Sequence, residues 1–247
     1  MNPPSLESAQ TSTRRRPDRR RWAAVGSIGL LTLVVVALVF RNPWFRGNLG
    51  VVAPGMVYRS AQPVGDWAGR VRDGKLASVL NLRGGSDSDP WYRAEVEATR
   101  SLEVDFYDLP MSATSRPTRK QLLTVLDLFD HCRYPLLIHC KSGSDRTGLA
   151  SALYLMSKEG QPPEVAEAAF SIYFGHVPIL GTRHLHEPLN EYAAFLNVRK
   201  LPHTPERFRT WVMNDYRAGD PTGPVEPIAA GPRDRRVARA SSHKVGE

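Results

Sequence analysis

The chain has 247 residues, 41% of them apolar, enough to bury one substantial core or two small ones. Its formal charge of +8 is unevenly spread: residues 1–44 carry seven arginines against Glu7 and Asp18, residues 45–218 hold 21 basic and 19 acidic groups, and 219–247 add one net positive charge. A nucleic-acid surface needs its excess on the folded body; here the body is nearly neutral, so nucleic acid is excluded as a partner.

The first element is a leader. Six arginines within 14–21 precede "WAAVGSIGLLTLVVVALVF", residues 22–40, nineteen residues with no formal charge. This pattern predicts a disordered basic segment over 1–21, an uncleaved transmembrane signal-anchor over 22–40 and a linker over 41–54. The arginine bias orients it with the N-terminus in the cytoplasm. The domain that follows is then held on the far side of the cytoplasmic membrane, periplasmic in a Gram-negative-type bacterium.

From residue 55 the pattern turns globular. Strands are expected at 56–60, 76–83, 104–109 and 136–140, and helices at 64–74, 91–102, 118–132, 147–159 and 163–174. In 118–132, Leu122, Val125, Leu126 and Phe129 recur at helical spacing. Two closing helices follow at 184–197 and 204–217, the second with Thr204 as N-cap and Pro205 at its first position. Strands alternating with helices give an α/β fold, a mainly parallel central sheet flanked by helices, in one domain over 55–218. Residues 219–247 lack an apolar period and are read as a flexible tail.

The stretch "LLIHCKSGSDRTGLASAL", residues 136–153, carries the chemistry. A buried strand ends in His139–Cys140, a glycine-bearing loop follows, and Arg146–Thr147–Gly148 opens a helix. Three readings compete for Cys140: a packed thiol, a redox or metal ligand, and a nucleophile. Cys132 and Cys140 form no CxxC pair and the seven histidines show no zinc spacing, so no metal is expected. A strand–loop–helix turn aims successive N–H groups and a helix N-terminus at an anion. A thiol at the mouth of that ring would feel a field that favours the thiolate. Arg146, six positions on, returns to grip two phosphate oxygens. Thr147 offers a hydroxyl to the thiolate or to phosphate, and His139 braces the loop from behind. Cys132, at a helix end with no such loop, reads as structural.

With C-x5-R-T-G set between strand and helix, the chain resembles the cysteine-dependent protein-tyrosine and dual-specificity phosphatase superfamily, in its bacterial dual-specificity-like branch. The signature HCxxGxxR(S/T)G is met by His139, Cys140, Gly143, Arg146, Thr147 and Gly148. Lys141 is similar to the HCKxGxxRTG form of some relatives acting on inositol phosphates, and "MVYRSAQP" (56–63) and "ASVLNLRG" (77–84) resemble recurring upstream segments. The resemblance covers about 55–180. It implies a dual-specificity-like fold and a two-step hydrolysis through a cysteinyl-phosphate on Cys140, without metal or cofactor. Lys141, Ser142, Gly143, Ser144, Asp145, Arg146 and Thr147 would bind the phosphate.

The family's general acid is an aspartate on a loop that should fall between Pro110 and Thr118, yet "PMSATSRPT" contains no acid. Asp108, at the end of the preceding strand, is the first choice; Asp145, inside the phosphate loop, is the second. Asp105, Asp87 and Asp89 stand further off. Arg59 and Arg83 either extend the phosphate field or lock the loop, Asn81 and Ser60 are supporting hydrogen-bond partners, and Trp91, Tyr92, Phe106 and Tyr107 are core or pocket wall. The expected activity is a membrane-anchored phosphomonoesterase acting on a phosphoprotein, an inositol phosphate or a lipid phosphate, with the membrane as partner through 22–40. The alternative is a catalytically weak phosphate-binding or adaptor module.

Overall fold

A computed structural model describes residues 19–39, 42, 46–63, 65, 69, 73–218 and 238–239. The expected segment 1–21 and tail 219–247 therefore lie largely outside the described residues, as does most of the expected helix over 64–74. The chain divides into two compact units, Met1–Leu38 and Val39–Glu247.

Helix α1 spans Arg19–Val39, and its first turn is written in arginine. The eighteen residues after those arginines rise about 27 Å, short of a hydrocarbon core of roughly 30 Å. Among the described residues no helix is long and apolar enough to cross a membrane. That finding overturns the expected transmembrane signal-anchor over 22–40. With it go the membrane-anchored form of the function, the membrane partner and the single-pass localisation.

In the larger unit six strands form one mixed sheet: β1 (Gly50–Ala53), β2 (Val57–Ala61), β3 (Ser78–Asn81), β4 (Asp105–Asp108), β5 (Leu136–Cys140) and β6 (Ala238–Arg239), in the order β1-β2-β5-β3-β4-β6. The hairpin β1–β2 is antiparallel and every other pairing is parallel. Strand β1 arises within the stretch read as linker, where Pro54 and Gly55 supply the reverse turn (Gly55 φ +73°).

The parallel register sets up the site. Ala61 lies opposite Cys140, Asn81 opposite His139, and Asp108 opposite Asn81. The carboxyl ends of β2, β5, β3 and β4 thus form one row, the edge where open α/β sheets bind ligands. All five residues of β5 are buried, as befits a central strand covered on both faces.

Helices α2 (Pro90–Ser101), α3 (Arg119–His131), α4 (Asp145–Ser157), α5 (Pro163–Ala166), α6 (Glu187–Arg199) and α7 (Pro205–Asn214) belong to the same unit. The main core joins Leu80, Ile138, Leu126, Phe129, Leu153 and Tyr154 to Tyr192, Phe208, Trp211 and Tyr216, so the last helices close the same core that the sheet opens. Leu76, Val79, Val104 and Leu137 form a small cluster of their own. Between α5 and α6 the chain runs in three short 3-10 turns, Glu167–Ala169, Ile172–Phe174 and Leu180–His186, where sequence had suggested a continuous helix to 174. Hydrogen bonds from Arg59 to the Ala169 carbonyl and from Asn48 to that of Phe174 take acceptors a continuous helix would use, and the left-handed Gly175 (φ +72°) ends the run.

Candidate active site

The loop from Cys140 to Thr147 leaves β5 at the centre of the row and enters α4, whose first residue is Asp145. Its shape follows from where its carbonyls go. The Lys141 carbonyl accepts from the Gln62 N–H (3.2 Å), and that of Ser142 from Asn48 Nδ2 (2.9 Å). The Gly143 carbonyl accepts from an Arg59 terminal nitrogen (2.9 Å), and that of Ser144 from the same nitrogen (3.4 Å) and the Gly148 N–H (2.9 Å). In a trans peptide the N–H of the next residue points opposite to the carbonyl. Four carbonyls turned to the scaffold therefore turn the N–H groups of 142–145 the other way, a nest for an anion. One of them, Gly143 N–H, donates to Cys140 Sγ at 3.2 Å.

Gly143 has no substitute here. It has φ +73°, and an added Cβ would lie 2.5 Å from the Ser60 carbonyl and the Ala61 nitrogen at the end of β2. Arg59, on the same strand, is wholly buried. It spans Gly143 and Ser144 on one side and the Ala169 carbonyl (2.7 Å) on the other, with Phe174 stacked 3.8 Å from its guanidinium. Burial lowers its pKa to about 10, opposed by the nearby Cys140 sulfur, so it stays cationic at neutral pH.

Beneath the loop, His139 Nε2 lies 2.6 Å from Glu95 Oε1, and Glu95 Oε2 accepts from Gln62 Nε2 at 2.8 Å. Both His139 and Glu95 are fully enclosed. Arg146 reaches across to the Leu82 and Met111 carbonyls, each at 3.2 Å, bridging the end of β3 and the loop after β4. Its Nε and the buried Thr147 hydroxyl have no hydrogen-bond partner among the described residues.

A family model described as "Swiss Army Knife protein, DSP-PTPase phosphatase domain" matches residues 52–201, more than half of the chain. The chain belongs to that family. It is a cysteine-dependent phosphatase of the tyrosine and dual-specificity superfamily. Among solved structures, TpbA of P. aeruginosa is 23% identical with a TM-score of 0.48, the match covering 68% of this chain and 92% of that one. The core catalytic domain of the PP-IP phosphatase SIW14 from S. cerevisiae is 19% identical with a TM-score of 0.46, covering 64% and 96% respectively. No curated protein matches the chain.

The acid candidates of the phosphatase fall in different places. Asp108 is 1% exposed at the end of β4 and accepts from the Tyr92 hydroxyl at 3.0 Å. Asp105, at the other end of β4, is held by Arg133 through two contacts of 2.7 and 3.0 Å, away from the row. Asp89 accepts from the Ser86 N–H and hydroxyl, hydrogen bonds that hold its carboxyl below the ordinary range, and the Asp87 carbonyl accepts from Arg93; both shape the turn before α2. Asp145, 20% exposed, lies beside the loop with Oδ1 2.7 Å from His176 Nδ1.

Arg83 stacks on Trp91, its guanidinium 3.7 Å from the ring, and the Asn81 side-chain oxygen accepts from the Arg83 N–H. The Ser60 hydroxyl turns to the Ala61 carbonyl. Lys141 and Ser142 are exposed at the mouth, while Gly143 and Ser144 are buried in the turn. Cys132 ends α3, where burial pushes its thiol up to about 11.

Sequence reasoning did not find Asn48, Glu95, Gln62, His176 or His186. Asn48 is the least expected: φ +54°, buried, and bonded to the Ser142 and Phe174 carbonyls. The pair Gly47–Asn48, both in the left-handed region, was the available signal of a shaped turn rather than a linker.

Proposed function

We propose that the protein is a phosphomonoesterase of the tyrosine and dual-specificity type, in the bacterial dual-specificity-like branch that the run His139-Cys140…Gly143…Arg146-Thr147-Gly148 resembles, with Cys140 as its nucleophile. One observation carries the reading: the carbonyls of 141–144 are all bonded to the scaffold, which turns the N–H groups of 142–145 the other way, and that of Gly143 donates to Cys140 Sγ.

Cys140 Sγ attacks phosphorus, and the P–O bond to the leaving group breaks. The charge on the equatorial oxygens is met by the loop N–H groups, the α4 N-terminus and Arg146, donors fixed before the reaction begins. Water then cleaves the cysteinyl-phosphate. Asp145 is the general acid in this reading. It adjoins Arg146 and is partly open to solvent, whereas Asp108 is enclosed beneath the Tyr92 hydroxyl. Thr147, with its buried hydroxyl uncommitted, is available to the sulfur or to phosphate.

The substrate class is a phosphorylated protein, inositol or lipid; the exposed Lys141 at the mouth favours a highly charged head group. The test is hydrolysis of aryl, peptide, inositol and lipid phosphates by the full chain and by Cys140→Ser. Turnover lost in the serine variant, with phosphate binding retained, supports the reading. Binding without turnover on every substrate across a broad pH range would make the chain a phosphate-binding module instead.

A further inference from the structure

Asp145 is the first member of a longer arrangement. Its Oδ1 is 2.7 Å from His176 Nδ1, His176 Nε2 is 2.8 Å from His186 Nε2, and His186 Nδ1 is 2.9 Å from Glu167 Oε1. The string runs from the phosphate loop, through a histidine 2% exposed, to a carboxylate 47% exposed. Phe170 stacks on His186 at 4.1 Å and lies 4.9 Å from His176, an aromatic face suited to an imidazolium. Gly148, the last residue of the loop signature, makes room for this: a Cβ there would meet the Phe170 ring at 2.9 Å.

Proton counting gives the string its chemistry. Three contacts link two carboxylates and two imidazoles, and each needs one proton. Two neutral histidines bring only two N–H groups. With both carboxylates ionised one contact would be left without its proton, so the complete string carries one proton more than its neutral histidines supply.

We propose that this shared proton is the one Asp145 gives to the leaving group, with His176, His186 and Glu167 acting as positioning residues that hold it. The inference rests on Asp145 being the acid. The P–O bond breaks with its electron pair on the leaving oxygen, which takes the single proton held between Asp145 and His176 Nδ1; His176 keeps the proton it shares with His186 at Nε2, and His186 keeps the one at Nδ1 that faces Glu167. The string is then one proton short. When water attacks the cysteinyl-phosphate, the S–P electron pair returns to sulfur and the water proton returns to Asp145.

The charged groups around the string are otherwise engaged. Arg59 holds the Ala169, Gly143 and Ser144 carbonyls, and Arg146 those of Leu82 and Met111. On the string's own segment His184 pairs with Glu187, which also meets Arg116. Asp145 from α4 and Glu167 from the turn after α5 are thus the acids that face the two imidazoles.

The experiment compares pH–rate profiles of the full chain on para-nitrophenyl phosphate and phenyl phosphate for wild type, Asp145→Asn, His176→Asn, His186→Gln and Glu167→Gln. Imidazole resonances of His176 and His186 are followed alongside. Asp145→Asn should lose roughly 100-fold on phenyl phosphate and far less on the better leaving group. His176→Asn and His186→Gln should lose about tenfold in the same leaving-group pattern, at unchanged KM. Glu167→Gln removes a charge that stabilises the proton, so the basic limb should move to lower pH by about half a unit. The resonances of both imidazoles should move in Asp145→Asn, because the string links them. If Asp145→Asn discriminates leaving groups while the other three profiles superimpose on wild type, the string is refuted and the acid stands. If Asp145→Asn shows no discrimination, both fall. Should His176→Asn fail to fold, His186→Gln and Glu167→Gln decide the matter.

Discussion

At Gly143 two demands meet in one residue: a left-handed backbone and an approach to β2 so close that a Cβ would lie 2.5 Å from its backbone. Gly143→Ala should therefore cost far more than its one methyl group. Misaiming the loop donors is expected to lower kcat by roughly 100-fold or more, since losing one such donor already costs about that. Steady-state kinetics beside a melting curve checks it, because a folded but inactive variant locates the damage in the loop. The cysteines make a second contrast. Cys132, its thiol pushed up to about 11 by burial, stays protonated near pH 8, and only the thiolate alkylates. Iodoacetamide at pH 8 should leave Cys132 unmodified in the folded chain, and urea should make it reactive; mass mapping reads the difference. Residues on the loop were legible because their spacing is local. Glu95, His176 and Asn48 were not, since they reach the loop from 44, 31 and 94 positions away.

Among the elements, α3 was the most legible. Thr118 accepts from the Gln121 N–H while the Gln121 side chain accepts from the Thr118 N–H, a complete capping box at the start that sequence had given. Thr118→Ala should cost about 1 kcal/mol of stability, read by urea unfolding, without altering kcat. The cap of α7 follows the same rule, with Thr204 accepting from the Arg207 N–H. Strand β1 escaped because four residues give too short a period to read, and it exists only through its pairing with β2. The 3-10 turns between α5 and α6 escaped for a related reason. Their residues are composed for a helix, but Arg59, Asn48 and Ser144 bond to the Ala169 and Phe174 carbonyls, and that tertiary demand sets the path.

For the molecule as a whole, the matched stretch 52–201 is not the folding unit of this chain. Phe208, Trp211, Val212 and Tyr216 are buried in the main core, the Tyr216 hydroxyl donates to the Pro117 carbonyl at 2.6 Å, and the Arg119 N–H donates to the Ala218 carbonyl at 2.7 Å. At the other end Asn42 donates to Asn48, which in turn holds the loop. A fragment of 42–218 gives up the two-residue edge strand β6 but keeps these buried contacts and should melt close to the full chain, whereas one of 52–201 should be unstable or insoluble; calorimetry of the two distinguishes them. Removing Phe208 alone, as Phe208→Ala, should cost about 3–5 kcal/mol.

The outward bonding of the loop carbonyls has a thermodynamic side. Their partners come from Asn48, Arg59 and Gln62, so the nest exists only while the folded body does. An oxyanion that binds the nest binds the native state alone, and mass action then couples its concentration to unfolding. At a concentration about 100 times its Kd, vanadate or phosphate should raise stability by about 2.7 kcal/mol. A thermal shift would thus rank substrate head groups by affinity without any turnover.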